Sequence, residues 1–303
     1  MRESIDIGKL NLCISESALT GLVDKKLGKI IDHHFQLEHS LVSFNDIALF
    51  VDSSDYLFSY NADAFRLLYS ELNTSSKTYL SLYPASGFDA IYCASRGVQA
   101  TIAFRDDHSP RLFNANSELN DVGALELVAH ADLQNCEARF ETIGCICPGL
   151  IQLPGHNLAH NINGGVTGED ELGNAIGLIG KLLLESGTAT LIGIGYYDDA
   201  IQEVSDKLTN LCSLHELSHK TIITTSFKME PGNGASIFGV TVSNLCLNSN
   251  SDHIEIGEAL YNHIKSLKIK NVCLFKSQII KKSNDSANIV IDLSESYYGT
   301  WLI

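Results

Sequence analysis

The stretch Thr167-Gly-Glu-Asp-Glu-Leu-Gly-Asn-Ala-Ile-Gly177, continuing through Leu178 to Ser186, Gly187 and the apolar run Thr188 to Gly195 (TATLIGIG), carries the most structural information in the chain. It reads as a loop, a helix over Glu171–Ser186 and a buried strand centred on Thr190–Ile194. Glu169, Asp170 and Glu171 at the helix start suit the positive end of its dipole. Gly173, Gly177 and Gly180 fall on one helical face. Each glycine costs about 1 kcal/mol of helix propensity against alanine. Three on one face therefore point to a close neighbour packed against a buried helix.

Working outward, short apolar runs alternate with helix-like segments. Ile47–Val51, Ala90–Ala94, Thr221–Thr225, Ser236–Val242, Asn271–Phe275 and Asn288–Ile291 read as further buried strands. Asp63–Tyr69, Tyr197–Leu208 and Ile256–Ser266 read as helices. Strands apolar on both faces imply a sheet covered on both sides, and the alternation implies α/β layers.

Composition narrows the function. The 303 residues are 45% hydrophobic, which excludes a disordered chain. With 21 Lys+Arg against 36 Asp+Glu the net charge is −15. Nucleic acid and anionic membrane surfaces are therefore not expected partners. The best apolar stretch, Ala175–Leu184, is interrupted by Lys181 and too short to span a bilayer. The start MRESIDIGKL does not read as a signal peptide. The eight cysteines lie mostly in apolar runs without CxxC spacing, so free thiols and a cytoplasmic setting are expected.

Two short motifs suggest metal chemistry. His215-Glu216-Leu217-Ser218-His219 fits H-E-x-x-H, which on a helix would let His215 and His219 share a zinc with Glu216 as general base. A strand-like run begins two residues after His219, and no third histidine follows at a suitable spacing. The preferred reading is a polar helix end with no metal, and a zinc-dependent hydrolase is the alternative. Asp32-His33-His34 looks like the signature of the DHH phosphoesterases, but only Asp6 and Asp24 precede it as further aspartate ligands. A polar turn is expected there.

The central stretch resembles the β-ketoacyl synthase branch of the thiolase-like superfamily. Thr167, Ala175, Ile176, Gly177, Ser186 and Gly187 fall in register with that family's nucleophile helix. Gly168-Glu169-Asp170 and Asp198-Asp199 are similar to a divergent branch of it. Upstream, Ala94-Ser95-Arg96-Gly97 is similar to its S-R-x-G element. Downstream, Gly232-Asn233-Gly234-Ala235 is similar to its G-x-G-A loop. The resemblance covers roughly residues 88–242 and implies a thiolase-like layered αβαβα sandwich, shortened at its C-terminal half. Residues 1–200 would form the ketosynthase-like half and 201–303 the shortened half of one intertwined unit.

The departures decide what that resemblance implies for function. Glu169 stands where the family has its nucleophilic cysteine, and both histidine motifs are absent. A carboxylate leaves no thioester, so no catalytic residue and no cofactor are implied. The implied role is a non-catalytic, chain-length-factor type subunit in fatty-acid or polyketide biosynthesis. It would form a heterodimer with an active ketosynthase and meet acyl carrier protein only indirectly. Thr167, Gly168, Gly173, Gly177 and Gly180 would line the tunnel or interface, with Gly232, Gly234 and Ala235 as a loop. An α/β interaction protein without acyl chemistry is the remaining alternative.

Overall fold

The computed structural model describes residues 68–294 apart from Ala85, 106–108, Ala124, Asn161, 232–236, 250–251 and 283–286. Before residue 68 it describes Asp24, Asp46 and five strands: β1 (Ser4–Asp6), β2 (Gly28–Ile31), β3 (His34–Leu37), β4 (His39–Phe44) and β5 (Ile47–Asp52). Strands β1–β3 form an antiparallel sheet in the order β1-β3-β2, and β4 pairs with β5.

The main sheet has eight strands. They are β6 (Thr78–Ser81), β7 (Gln99–Phe104), β8 (Glu126–Ala129), β9 (Phe140–Ile146), β10 (Leu183–Tyr197), β11 (Leu217–Lys228), β12 (Asn271–Lys281) and β13 (Ile289–Asp292). Their order is β13-β11-β12-β10-β9-β6-β7-β8. Neighbours from β8 to β10 pair in parallel, whereas β12 runs antiparallel to both β10 and β11. Counted from β6 as the first strand, the order is 3-2-1-4-5-7-6 with β13 added at the edge. This is a doubly wound sheet with one antiparallel strand inserted between its fifth and sixth members.

Helices cover both faces: α1 (Phe88–Ala94), α2 (Ser109–Leu119), α3 (Asp170–Leu182), α4 (Gln202–Leu214), α5 (Ile237–Ser249) and α6 (His253–Ser266). Adjacent strand residues enter opposite cores, as the two-residue period requires. Leu191, Cys273 and Phe275 pack with Leu172, Ile176, Val204 and Leu208 of α3 and α4. Ile194 and Val272 pack with Phe238, Val242, Ile256 and Leu260 of α5 and α6. Tyr79, Ala100 and Ile102 pack with Phe88 and Ile91 of α1. Burial on both faces explains why these strands lack a polar alternation.

The β4–β5 pair docks on α2 through two asparagines one helical turn apart. Asn116 accepts from the Phe50 amide at 2.7 Å and donates to its carbonyl at 2.9 Å. Asn120 does the same for Ala48, at 2.9 and 2.7 Å. The two side-chain amides thus stand in for a neighbouring strand along β5.

This topology overturns the thiolase-like assignment. An αβαβα sandwich needs two sheets enclosing a helical layer, whereas here a single eight-stranded sheet lies between two helical layers. The ketosynthase relationship, the chain-length-factor role and the polyketide or fatty-acid assignment fall with that fold. Ala90–Ala94 and Ser236–Val242 belong to helices α1 and α5, not strands. Short apolar runs fit a buried helix as well as a buried strand, and here the helical layers claim them. Helix α3 ends at Leu182, and Leu183–Gly187 already belong to β10. Helix α4 begins at Gln202, because Tyr197 closes β10. Of the expected helix Asp63–Tyr69, only Leu68 and Tyr69 are described, and both are helical. Among the described residues no helix is long and apolar enough to cross a membrane.

Candidate functional site

Strands β6 and β9 are neighbours, but the chain leaves them in opposite directions, toward β7 and toward β10. In open α/β sheets, ligands bind beyond the carboxyl ends of the strands at such a switch point. The groups at that edge come from five places: the turn after β6, the ends of β7, β8 and β9, and the first turn of α3.

Tyr83 follows β6 and is only 5% exposed. Its hydroxyl donates to Glu171 Oε2 at 2.9 Å. Arg105, just beyond β7, reaches Glu171 Oε1 at 2.7 Å and the His160 carbonyl at 3.2 Å. Its guanidinium carbon lies 5.3 Å from the centre of the Tyr83 ring. His130, just beyond β8, lies 5.0 Å from that ring, and its Nε2 is buried without a hydrogen-bond partner. Burial lowers the His130 pKa, and Arg105 adds to the effect. Burial would raise the Glu171 carboxyl, but Arg105 and Tyr83 outweigh it and hold the group below its ordinary value. Burial, helped by Cys147, Cys145 and Glu171, pushes the Tyr83 phenol far up, so it remains a donor.

Beneath this cluster Tyr79 donates to Asp89 Oδ2 at 2.7 Å, both side chains being fully enclosed. Gly144 on β9 makes room for them, since a Cβ there would overlap the Tyr79 hydroxyl. Beyond β9 the chain folds back on itself. The Leu150 N–H donates to the Ile162 carbonyl at 2.8 Å, and the Gly164 N–H donates to the Leu150 carbonyl at 2.9 Å. A Cβ on Gly164 would come within 2.5 Å of the Gly168 carbonyl, so the close backbone approach demands glycine.

The residues singled out from sequence have structural roles around this edge. Thr167 donates its hydroxyl to Asp170 Oδ1 at 2.7 Å. Gly168 has φ +79°, a conformation that favours glycine, and sits against the Tyr196 ring. Glu169 occupies the N-cap position of α3 but does not cap with its side chain. Its carboxylate pairs with Lys207 and accepts from the Tyr196 amide at 3.2 Å, tying α3 to α4 and β10. The glycine face of α3 meets α4 within the same chain: a Cβ would lie 3.8 Å from Leu211 at Gly173, 3.4 Å from His215 at Gly177 and 2.8 Å from His215 at Gly180. Strand β10, including Thr190–Ile194, is paired on both sides, by β9 and β12. Gly232, Gly234 and Ala235 lie outside the described residues, as do Asp32 and His33.

The H-E-x-x-H motif does not lie on one helical face. His215 caps the end of α4, Glu216 has φ +54°, and Leu217 opens β11. His219 is 2% exposed and fully engaged, with Nδ1 at 2.8 Å from Thr221 Oγ1 and Nε2 at 3.1 Å from Thr209 Oγ1. Among the described residues, no group of three or more His, Cys, Asp or Glu could hold a metal ion.

No protein-family model matches this chain, and no curated protein matches it. Solved structures that this chain resembles include several titled as methyltransferases. The ribosomal protein L11 methylase of Lactobacillus delbrueckii subsp. bulgaricus is 13% identical, with a TM-score of 0.41, covering 73% of this chain and 77% of that one. TYW2 of M. jannaschii, in complex with AdoMet, is 8% identical with a TM-score of 0.46, covering 83% and 92%. The O-methyltransferase of a trans-AT PKS multienzyme of Brevibacillus brevis, in complex with S-adenosyl-L-homocysteine, is 15% identical with a TM-score of 0.43, covering 81% and 82%. The likeness concerns the fold alone, and the strand order is what describes that fold here.

Proposed function

We propose that this protein is a methyltransferase-fold protein that has closed its cofactor crevice and neither binds S-adenosylmethionine nor transfers a methyl group. The proposal rests on how the switch-point residues compare with what a nucleoside cofactor requires. In a doubly wound sheet the turn after the first strand uses glycines so that the ligand can approach the backbone. An acidic residue after the second strand holds the ribose hydroxyls.

The turn after β6 departs from the first requirement. Tyr83 and Pro84 occupy the start of the turn after β6. Gly87 ends that turn with φ +73°, but a Cβ there would lie 2.8 Å from Phe113, so the glycine serves the packing of α2. Strand β7 ends in Phe104 followed by Arg105, whose guanidinium turns to Glu171; Asp106 and Asp107, the acidic residues that follow, lie outside the described residues. The single observation that carries the reading is the Tyr83 side chain. Its ring is enclosed between Arg105 and His130, and its hydroxyl is bonded to Glu171. This cluster supports the reading that Tyr83 stands where a nucleoside would have to approach the end of β6.

Equilibrium dialysis against radiolabelled S-adenosylmethionine tests this. The expected result is no saturable binding up to about 1 mM. Saturable one-to-one binding in the micromolar range would restore the methyltransferase assignment and overturn the proposal.

A further inference from the structure

Between the sheet and the segment Leu68–Asn73 lies a cavity of about 200 Å³ that is separate from the switch-point crevice. It occupies the face opposite α3 and α4, where Leu68 and Leu72 pack on Ile146, Ile192 and Leu274. Its polar lining comes chiefly from Glu71, Asn73, Thr142, Thr188, Thr190 and Gln278. Asn73 is exposed and Thr188 half-buried, whereas Thr190 is only 6% exposed and Tyr79 1%. The cavity thus deepens from Asn73 and Thr188 toward Thr190 and Tyr79.

Two features distinguish this cavity from a packing fault. Strand register sets Thr188 opposite Thr142 and Thr190 opposite Gly144, so Thr190 stands beside a residue without a side chain. Thr142 is satisfied, donating to the Thr78 carbonyl at 3.1 Å and meeting Ser76 Oγ at 2.9 Å. The Thr188 and Thr190 hydroxyls have no side-chain partner among the described residues, although Thr190 is more than nine-tenths buried. The two hydroxyls are therefore open to the cavity, and a guest with hydrogen-bonding groups of its own can engage both.

Charge then limits the guest. Glu71 is already engaged, by Lys276 at 2.5 Å and Gln278 at 2.6 Å. No unpaired charged side chain lines the cavity among the described residues. A charged guest would lose its hydration without gaining a counter-charge. Size limits it further. The cavity is below the roughly 300–1,000 Å³ of drug-sized sites, but well above the ~30 Å³ share of one water. We propose that this cavity binds a small neutral polyol, about one hydroxylated ring in size, through the Thr188 and Thr190 hydroxyls and the Asn73 side-chain N–H, the Asn73 Oδ1 being taken by the Ser75 amide at 3.0 Å.

The test is ligand-observed saturation-transfer NMR on the full chain with D-glucose and myo-inositol as probes. Glucose 6-phosphate serves as the charged control. At least one neutral probe is expected to receive saturation and glucose 6-phosphate much less. Thr190→Val removes the deep hydroxyl at constant shape and should weaken binding about tenfold with an unchanged melting temperature. Thr188→Val, nearer the rim, provides the same readout should Thr190→Val fold poorly. Absence of transfer to both neutral probes would overturn the proposal and leave a cavity filled by water. Equal transfer to the charged control, or binding indifferent to both valine variants, would overturn it as well.

Discussion

Arg105 and Glu171 are 66 residues apart in sequence and meet across the carboxyl edge of the sheet at 2.7 Å. The pair joins the end of β7 to the first turn of α3, over the Tyr83 ring. Both side chains are largely withdrawn from solvent, at 25% and 16% exposure, so neither is readily rehydrated when its partner is lost. Arg105→Ala or Glu171→Gln should each destabilise the protein by about 2 kcal/mol, a value below that of a fully buried pair because both groups retain some solvent contact. The double variant should lose less than the sum. A double-mutant cycle by urea unfolding measures the coupling.

The same pair makes stability depend on acid pH. Glu171 has a folded pKa below its ordinary 4.5 because Arg105 and Tyr83 overcome the opposing effect of burial. As pH falls, the unfolded chain takes up this proton before the folded one does. The stabilisation is therefore complete above about pH 4.5 and is lost as pH drops through the lower folded value. Urea midpoints for the wild type and Glu171→Gln should converge in that range and separate above it.

His219 acts in a higher window. Burial lowers its pKa below 6.5, and its two ring nitrogens are engaged by Thr221 and Thr209. Below that value the unfolded chain binds a proton that the folded chain resists. Stability is thus full above about pH 6.5 and falls as pH decreases, by up to about 1.4 kcal/mol per unit for one proton. His130, shifted in the same direction, contributes alongside it. Unfolding measured at about pH 7.5 and about pH 5.5 should show this loss, and His219→Gln should reduce the slope without abolishing it.

The glycine face of α3 yields a prediction of opposite signs on a single helix. At Gly173 a Cβ would sit 3.8 Å from Leu211, an ordinary contact. Gly173→Ala should stabilise the protein by about 0.5–1 kcal/mol through helix propensity and a less flexible unfolded chain. At Gly180 the Cβ would lie 2.8 Å from the Cβ of His215, so Gly180→Ala should destabilise by about 1–3 kcal/mol. Thermal midpoints moving in the same direction for both would contradict this packing.

The sequence reveals the α/β class and the β10–β13 half of the main sheet because those strands contain short apolar runs; β5, legible in the same way, belongs to the separate β4–β5 pair. It does not reveal the topology, in large part because one buried helix has the apolar run of a strand. Ala90–Ala94 reads as a strand because its apolar residues are continuous; Ala90, Ile91 and Cys93 are fully buried, but as a helix against β7. Read correctly, Thr78–Ala94 becomes strand, turn and helix, the signature that places a crevice at Tyr83. The glycine face of α3 correctly signalled close packing, but the neighbour is α4 and His215 rather than a partner subunit. Arg105 and Glu171 had no local signature, because their pairing exists only once β7 and α3 converge.

The central claim is that the chain's own side chains occupy the switch-point crevice. A crystal structure grown with excess S-adenosyl-L-homocysteine tests it most directly. The account predicts Tyr83 bonded to Glu171, Arg105 across its ring, and no nucleoside between the ends of β6 and β9. A nucleoside seated there, with Tyr83 displaced and the Arg105–Glu171 pair open, would contradict it.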